Sequence, residues 1–124
     1  METVVTITPN PTIDIYTTVE QVVPIQKLRC AAARRDPGGG GINVARVVRR
    51  LGGEVAAIYP ANLLRRLVDR EGVRSFAISV AEETREDFTV LDEKSRNQYR
   101  FVLPGSVLSE AEWAACLGTL ETME

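Results

Sequence analysis

Histidine is absent from the 124-residue chain. Ser-His-Asp and Cys-His catalysis both need an imidazole as general base, and most zinc sites use imidazole as a ligand. The sequence therefore excludes both forms of nucleophilic catalysis and most zinc chemistry.

Cysteine and long hydrophobic runs are also scarce. Cys30 and Cys116 lie far apart without a CxxC spacing, so neither a zinc site nor a disulfide framework is predicted, and a reducing, cytoplasmic location is expected. The opening METVVTITPNPTID has no basic stretch before an apolar core and predicts no secretory signal. Because no run of about eighteen apolar residues occurs, no membrane-spanning helix is expected.

Positive charge is not in excess either. The formal net charge is −2 at pH 7, and 44% of the residues are hydrophobic and 26% charged. Dedicated nucleic-acid-binding proteins are normally basic, so neither nucleic acid nor membrane is an expected partner. Only Lys27 and Lys94 are lysines, and the other basic side chains are arginines, which suit bidentate phosphate binding.

Strands and helices alternate along the first part of the chain. TVVTIT at 3–8 is β-branched throughout and is followed by Pro9 and Pro11, which predicts a buried strand closed by a turn. The other elements of this kind are strands predicted at 54–61 and 73–80 and helices predicted at 42–51 and 63–72. This order predicts an α/β fold with a parallel sheet.

Half-exposed strands form a second group. Partly alternating patterns predict a pair of strands at 13–20 and 28–34, and a β-hairpin with strands 86–92 and 97–103 around the turn DEKSRN. A last helix begins after Ser109 with a capping box. The apolar stripes of the first and last helices are expected in the core; they comprise Ile42, Val44, Ala45, Val47, Val48, Leu51, Trp113, Leu117 and Leu120.

Four consecutive glycines, Gly38 to Gly41, stand between a predicted strand and the helix at 42–51. One interpretation is a tight connection. Another is a binding loop, because bare backbone amides at a helix N-terminus attract phosphate or sugar oxygens. No GK[ST] follows, so the run is not a Walker A loop, and a dinucleotide site is a weaker alternative. Asn43 lies one turn into the helix and can face the same ligand.

Several segments together carry a family resemblance. They are TPNPTIDI at 8–15, KLRC at 27–30, PGGGGINVARVVRRLGG at 37–53, TREDFTVLD at 84–92 and QYRFVLPG at 98–105. In order and spacing they resemble the N-terminal part of PfkB-type sugar kinases, a branch of the ribokinase family, and most closely its minor 6-phosphofructokinase branch. The resemblance implies a partial ribokinase-like parallel-sheet sandwich with a small β-sheet lid.

The resemblance also implies roles in binding fructose 6-phosphate or a similar sugar phosphate. Asp14 would hold sugar hydroxyls, Gly38, Gly39, Gly40, Gly41 and Asn43 would cradle the sugar, and Arg85 would grip the phosphate, with Lys27 and Arg100 nearby. Simpler interpretations remain open at this point: Asp14 as a cap of the preceding turn, and Arg85 or Lys27 as solvated charges.

The implied organisation is a single N-terminal portion of a kinase domain, residues 1–124. Core segments are expected at about 1–11, 37–83 and 105–124, and lid segments at about 12–36 and 84–104. In dimeric members of the family the lid pairs with the lid of a second subunit, so a homodimer is expected.

Two departures from the family pattern limit the expected activity. The glycine-rich loop expected after Ala61 is missing, and no GAGD motif, which carries the aspartate base, occurs. The full-length family enzymes would use ATP and Mg²⁺, whereas this chain is expected to bind neither well, to contain no catalytic residue or metal ligand, and to be inactive alone. The alternatives are a non-catalytic sugar-phosphate-binding or lid-mediated dimerisation module, and a decayed gene product without function.

Overall fold

Two β-sheets organise residues 2–123, the part of the chain that the computed structural model describes. Sheet A has the strand order β1-β4-β5, and sheet B has the order β3-β2-β6-β7. The elements in chain order are β1 (Val4–Ile7), β2 (Thr12–Val19), β3 (Arg34–Gly38), α1 (Gly40–Arg50), β4 (Val55–Pro60), α2 (Arg65–Arg70), β5 (Arg74–Ile78), β6 (Arg85–Asp92), β7 (Gln98–Phe101) and α3 (Glu110–Thr122).

Sheet A is fully parallel and forms the centre of the core. Every residue of β4 is buried, as expected for a middle strand covered on both faces. Its alternate residues Val55, Ala57 and Tyr59 join a cluster with buried side chains from α1 and α2. Helix α3 contacts β4 and β5 through Cys116, which lies outside that cluster. The predicted strand–helix alternation with parallel strands is confirmed.

Sheet B is mixed, and β2 is one of its two inner strands. Strand β2 pairs antiparallel with β3 and parallel with β6, and β6 pairs antiparallel with β7. The hairpin predicted at 86–92 and 97–103 is therefore present. Its turn is fastened by Asp92, whose carboxylate accepts backbone N–H bonds from Val22, Lys94 and Ser95, each 3.0 Å long. These bonds hold the pKa of Asp92 below its usual value.

The strand predicted at 28–34 is wrong. Residues 28–33 have no regular structure, and the strand that pairs with β2 is β3, which begins only at Arg34. Strand β3 includes Pro37, which lacks an N–H donor and is tolerated because β3 lies at the edge of the sheet. Consequently Gly38 ends a strand, Gly39 is the N-cap of α1, and β3 crosses the predicted boundary between lid and core at residues 36 and 37.

The prediction that both helical stripes are core is wrong in part. In α1, Ile42 and Ala45 are buried, whereas the flanking residues Val44, Val47 and Leu51 are more than half exposed. In α3 the buried side chain is Cys116, and the predicted apolar stripe lies beside Cys116 instead of in the core. The exposed members of that stripe are Trp113, Leu117 and Leu120. Each helix contacts its sheet along a strip narrower than its apolar surface.

The predicted helix boundaries are mostly confirmed. Gly52 follows α1 with a φ of +88°, a left-handed conformation that suits glycine. The capping box of α3 is complete, because the Ser109 side chain accepts the Glu112 N–H and the Glu112 side chain accepts the Ser109 N–H. Across residues 2–123, none of the helices combines the length and the apolarity needed to cross a membrane.

Candidate functional site

Three aspartates form a row across sheet B. Asp14 on β2 lies opposite Asp36 on β3 and opposite Asp87 on β6. Residues paired directly across neighbouring strands point to the same face of a sheet, so the three carboxylates share one face. Asp14 stands in the middle of the row. It is paired within the strand on both sides and does not lie in the turn after Pro11, which gives no support to its interpretation as a turn cap.

Arginines neutralise the two outer aspartates. Arg34 Nε lies 3.0 Å and Arg46 NH2 lies 3.9 Å from the Asp36 carboxylate, and Arg85 NH1 lies 3.4 Å from Asp87 Oδ2. Asp14 has no ion pair within 4.0 Å among the side chains of residues 2–123. The central carboxylate is therefore the one whose acceptor capacity is left for a ligand.

The surroundings of Asp14 raise its pKa. Partial burial is the main cause, and the negative charge of Asp87 adds to it, while a hydrogen bond from Thr12 and the charge of Arg85 act in the opposite direction. A partly desolvated carboxylate gains from hydrogen-bond donors that replace its lost water. Two neighbouring hydroxyl groups would supply such donors.

Arg85 is held against the end of the aspartate row. Its NH1 donates to the Leu103 carbonyl and its NH2 donates to the Asn10 carbonyl, both at 3.3 Å. Only 16% of its side chain is exposed. Asp87 reinforces this position, because its Oδ1 accepts the Leu103 N–H at 3.1 Å. The interpretation of Arg85 as a solvated surface charge is therefore wrong.

The first residue of the glycine run, Gly38, packs against the same carboxylate. A Cβ at Gly38 would overlap the Asp14 carboxylate, and a Cβ at Gly41 would overlap Thr8 and the Ile7 carbonyl. Gly39 has a φ of +111°, which few other residues adopt. By contrast, Gly40 faces open space. Helix α1 has no side-chain cap, so its first amides remain available to an external acceptor.

A cleft of about 200 Å³ opens over this face. Arg100, predicted near the substrate, reaches it from β7, where it pairs with Thr89 of β6. The lining residues are Asp14, Ile15, Tyr16, Arg34, Asp36, Arg46, Asp87, Phe88, Thr89, Arg100, Phe101 and Val102. We call this concavity the aspartate cleft.

Asp14 and Arg100 are the two predicted site residues that line the aspartate cleft. Lys27 lies in the exposed segment between β2 and β3. Asn43 is exposed in the first turn of α1, and its backbone N–H donates to the Gly39 carbonyl. Gly38 and Arg85 adjoin Asp14 without lining the cleft, and Lys27, Asn43 and the other three glycines of the run also lie outside the lining.

Sequence reasoning missed Asp36, Asp87, Arg34 and Arg46. The signal for Asp36, Asp87 and Arg34 is a shared spacing, because alternate residues of a strand face the same side. On both β3 and β6 an aspartate follows an arginine by two residues: Asp36 follows Arg34, and Asp87 follows Arg85. Arg46 lies outside the apolar stripe of α1, yet only 18% of its side chain is exposed. It is 3.0 Å from Glu71 and 3.3 Å from the Pro37 carbonyl, and this tie joins α1 to β3.

Known proteins are similar to this chain in both sequence and overall fold. ATP-dependent 6-phosphofructokinase isozyme 2 of Mycobacterium tuberculosis is 49% identical over 122 residues, which cover 94% of this chain and 36% of that protein. The crystal structure of phosphofructokinase-2 from Escherichia coli with fructose-6-phosphate matches with a TM-score of 0.93 at 39% identity, over 100% of this chain and 43% of that one. A tetrameric inhibited form of that enzyme matches with a TM-score of 0.92.

A more distant match defines the fold alone. The nucleoside kinase of Methanocaldococcus jannaschii, an archaeal member of the ribokinase family, matches with a TM-score of 0.63 at 22% identity. A scan against models of known protein families finds no match. The architecture is thus a partial ribokinase-like fold, a parallel sheet with a separate lid sheet, as predicted.

Within the ribokinase-like fold, the more similar relatives identify a narrower family. The chain is a homologue of the N-terminal portion of the PfkB-type 6-phosphofructokinases, which confirms the resemblance seen in the sequence. It spans only 36% of the length of its Mycobacterium tuberculosis relative.

Proposed function

We propose that the aspartate cleft binds fructose 6-phosphate and that this chain is the sugar-binding portion of a 6-phosphofructokinase-type kinase. The observation that carries the proposal is the meeting of Asp14, Gly38 and Arg85 at one place. A carboxylate with a raised pKa there contacts a glycine that leaves it room, next to a largely buried guanidinium. The matched Escherichia coli enzyme holds this same sugar phosphate in its crystal structure.

Each part of the sugar phosphate has a complementary group. Asp14 accepts hydrogen bonds from adjacent hydroxyls, and the free amides at the start of α1 donate to sugar oxygens. Arg85 and Arg100 supply guanidinium groups for the phosphate, whose geometry they match bidentately. Lys27 and Asn43, outside the cleft lining, stay predicted contacts to the same ligand.

Phosphoryl transfer itself is not assigned to these residues. Transfer needs positioned metal ions and a base in line with the acceptor hydroxyl. Asp36 and Asp87 are already paired with arginines, and within residues 2–123 no three carboxylate, cysteine or histidine side chains are grouped to hold a metal ion. We therefore assign no Mg²⁺ ligands here, and we expect no turnover in a coupled kinase assay with ATP and fructose 6-phosphate.

Isothermal titration calorimetry with fructose 6-phosphate tests the binding proposal. The Arg85→Gln variant should bind about tenfold or more weakly, because it loses a charge-assisted contact. Arg96→Gln, which removes one charge from the exposed β6–β7 turn, is the matched control and should bind like the unaltered chain. Unaltered affinity of Arg85→Gln, or equal binding of unphosphorylated fructose, would contradict the role of Arg85.

A second candidate function is dimerisation through the lid. Phe88, Tyr99 and Phe101 alternate with the residues of the aspartate face and so belong to the opposite face of sheet B, although Phe88 and Phe101 also border the aspartate cleft. Their exposed fractions are 36%, 36% and 57%. Contiguous exposed aromatic residues of this kind mark association surfaces. We therefore propose that this apolar face pairs with the same face of a second copy.

Analytical ultracentrifugation tests the dimer. Phe101→Glu should shift the chain to monomer, because association would bury the added charge. The control is Val107→Glu, which adds the same charge at another exposed apolar residue. A dimer that resists Phe101→Glu, or a chain that is monomeric from the start, would contradict the assignment.

We also propose that the protein resides in the reducing cytoplasm, in keeping with its two free cysteines.

A further inference from the structure

We propose a second anion site, adjacent to the aspartate cleft, which binds a ligand that carries two or more phosphoryl groups. It is an open cleft of about 760 Å³ between the edge strand β3 and helix α2. Its lining is Ala32, Ala33, Arg34, Arg35, Asp36, Arg66, Leu67 and Arg70. We call it the arginine cleft.

Charge in the arginine cleft is strongly unbalanced. Four guanidinium groups line it, against one carboxylate, and that carboxylate, Asp36, is already engaged by Arg34 and Arg46. Within residues 2–123, no carboxylate lies within 4.0 Å of the guanidinium groups of Arg35, Arg66 or Arg70. An anion would therefore relieve repulsion that the protein leaves uncompensated.

Helix α2 carries these charges at a cost to its own stability. It has six residues, no side-chain cap and no acidic residue in its first turn. Arg66 lies in that first turn, where the helix dipole disfavours cations, and Arg66 and Arg70 are a like-charged pair at i and i+4. Both effects oppose the helix in the ligand-free chain.

Local contacts hold the two walls of the cleft in place. Arg70 NH2 donates to the Arg35 carbonyl at 3.1 Å, which fastens α2 to the edge of sheet B. The short connection before α2, where the glycine-rich loop of the family is missing, is closed by Asn62. Its amide donates to the Val80 carbonyl at 2.7 Å and accepts the Val80 N–H at 3.1 Å. The arginines are thus presented from both sides of one groove.

The chemistry of the lining indicates the ligand class. Guanidinium groups bind phosphate oxygens in a bidentate geometry, and several of them spread over one groove suit a chain of phosphoryl groups better than a single one. Arg34 and Asp36 also line the aspartate cleft. An anion that draws Arg34 away from Asp36 would change the charge beside Asp14, so the two sites should be coupled.

Calorimetric titration of the full chain with inorganic tripolyphosphate tests the site. Arg35→Gln and Arg66→Gln should each weaken binding about tenfold, as expected for loss of one charge-assisted contact. Lys94→Gln removes the same charge in the β6–β7 turn and should bind like the unaltered chain. Circular dichroism of each variant checks folding, and both arginines are exposed, so glutamine is tolerated.

Four results would overturn the proposal. They are no binding by the unaltered chain, unaltered affinity of both arginine variants, equal weakening by Lys94→Gln, and loss of tripolyphosphate binding in Arg85→Gln, which would place the anion in the aspartate cleft. Fructose 6-phosphate titrations separate this proposal from the proposed function. Arg66→Gln should leave the affinity for the sugar phosphate within about twofold, so either site can fail without the other.

Discussion

Sheet A and sheet B differ in how far their residues are exposed to solvent. Every residue of β4 in sheet A is buried, whereas every residue of β7 in sheet B is exposed. One face of sheet B carries the aspartate row with its arginines, and the opposite face carries exposed aromatic side chains. Sheet A thus forms the core, and sheet B carries the two surfaces that we propose for recognition.

The candidate site lies where the two sheets are joined. Asp14 belongs to sheet B, while Gly41 packs against Thr8 and Ile7 at the end of a sheet A strand. Arg46 spans the junction, because it reaches from α1 to β3 and to Glu71 after α2. Binding should therefore respond to changes at this junction, and stability to changes in sheet A.

The largest expected effect on stability is in the core around sheet A. Leu64→Ala removes a fully buried side chain and should lower the free energy of unfolding by about 2–5 kcal/mol. Leu51→Ala, at a leucine that is 82% exposed, should change it by less than about 0.5 kcal/mol. Urea denaturation measures both. Equal losses in the free energy of unfolding would contradict the assignment of Leu64 to the core and Leu51 to the surface.

The next largest expected effect is on ligand affinity, and it distinguishes Gly38 from Gly40 in the same glycine run. Gly38→Ala introduces a methyl group into the Asp14 carboxylate and should weaken binding of fructose 6-phosphate about a hundredfold, the scale that an ångström of misplacement produces. Calorimetry measures the affinity of the variant.

Gly40→Ala is the matched control, because a Cβ at Gly40 meets nothing within 4 Å. It should keep the affinity and raise the free energy of unfolding by up to about 1 kcal/mol, since alanine is the better helix former. If both variants lost binding equally, the run would act as a flexible connection, and the contact between Gly38 and Asp14 would be irrelevant.

The smallest effect concerns the charge of Asp14. Its pKa is raised in the folded chain, so its ionised form opposes folding at neutral pH, and stability is gained as the pH falls through the folded pKa. Asp14→Asn should therefore raise the Tm at pH 7 by a few degrees at most, while sugar-phosphate binding is lost. The gain should vanish below the unfolded pKa, near about 3.9.

Asp92→Asn gives the opposite sign and serves as the comparison. The pKa of Asp92 is lowered by three backbone N–H donors, so its ionised form stabilises the turn at neutral pH, and that contribution is lost as the pH falls through the folded pKa. The asparagine should lower the Tm at pH 7 and have no effect in acid. Thermal melts across pH that show the same sign for both variants would refute this electrostatic account.

Sheet A could be predicted from the sequence because its signals are local. Continuous apolar strands such as β4, glycine after α1 and the capping box at Ser109 depend only on near neighbours along the chain. The family resemblance added Asp14 and Arg85, which the structure places beside each other. These parts of the prediction required no knowledge of strand register.

The remainder of the site depends on register, which the sequence does not display. Asp36 and Asp87 become neighbours of Asp14 only because β2 pairs with β3 and β6 in one particular alignment. Strand β3 was misplaced because its Pro37 and Gly38 disfavour a strand by propensity, and pairing with β2 overrides that preference. Arg46 was missed because its partner Glu71 lies on a separate element.

An NMR titration of the ¹⁵N-labelled chain with fructose 6-phosphate tests the central claim most directly. We expect the largest shifts at the backbone amides of residues 38–43 and 85–87, with little change at 55–60 in β4. Shifts that spare the glycine run and Arg85, or a spectrum unchanged at saturating sugar phosphate, would contradict the claim that the aspartate cleft binds the sugar.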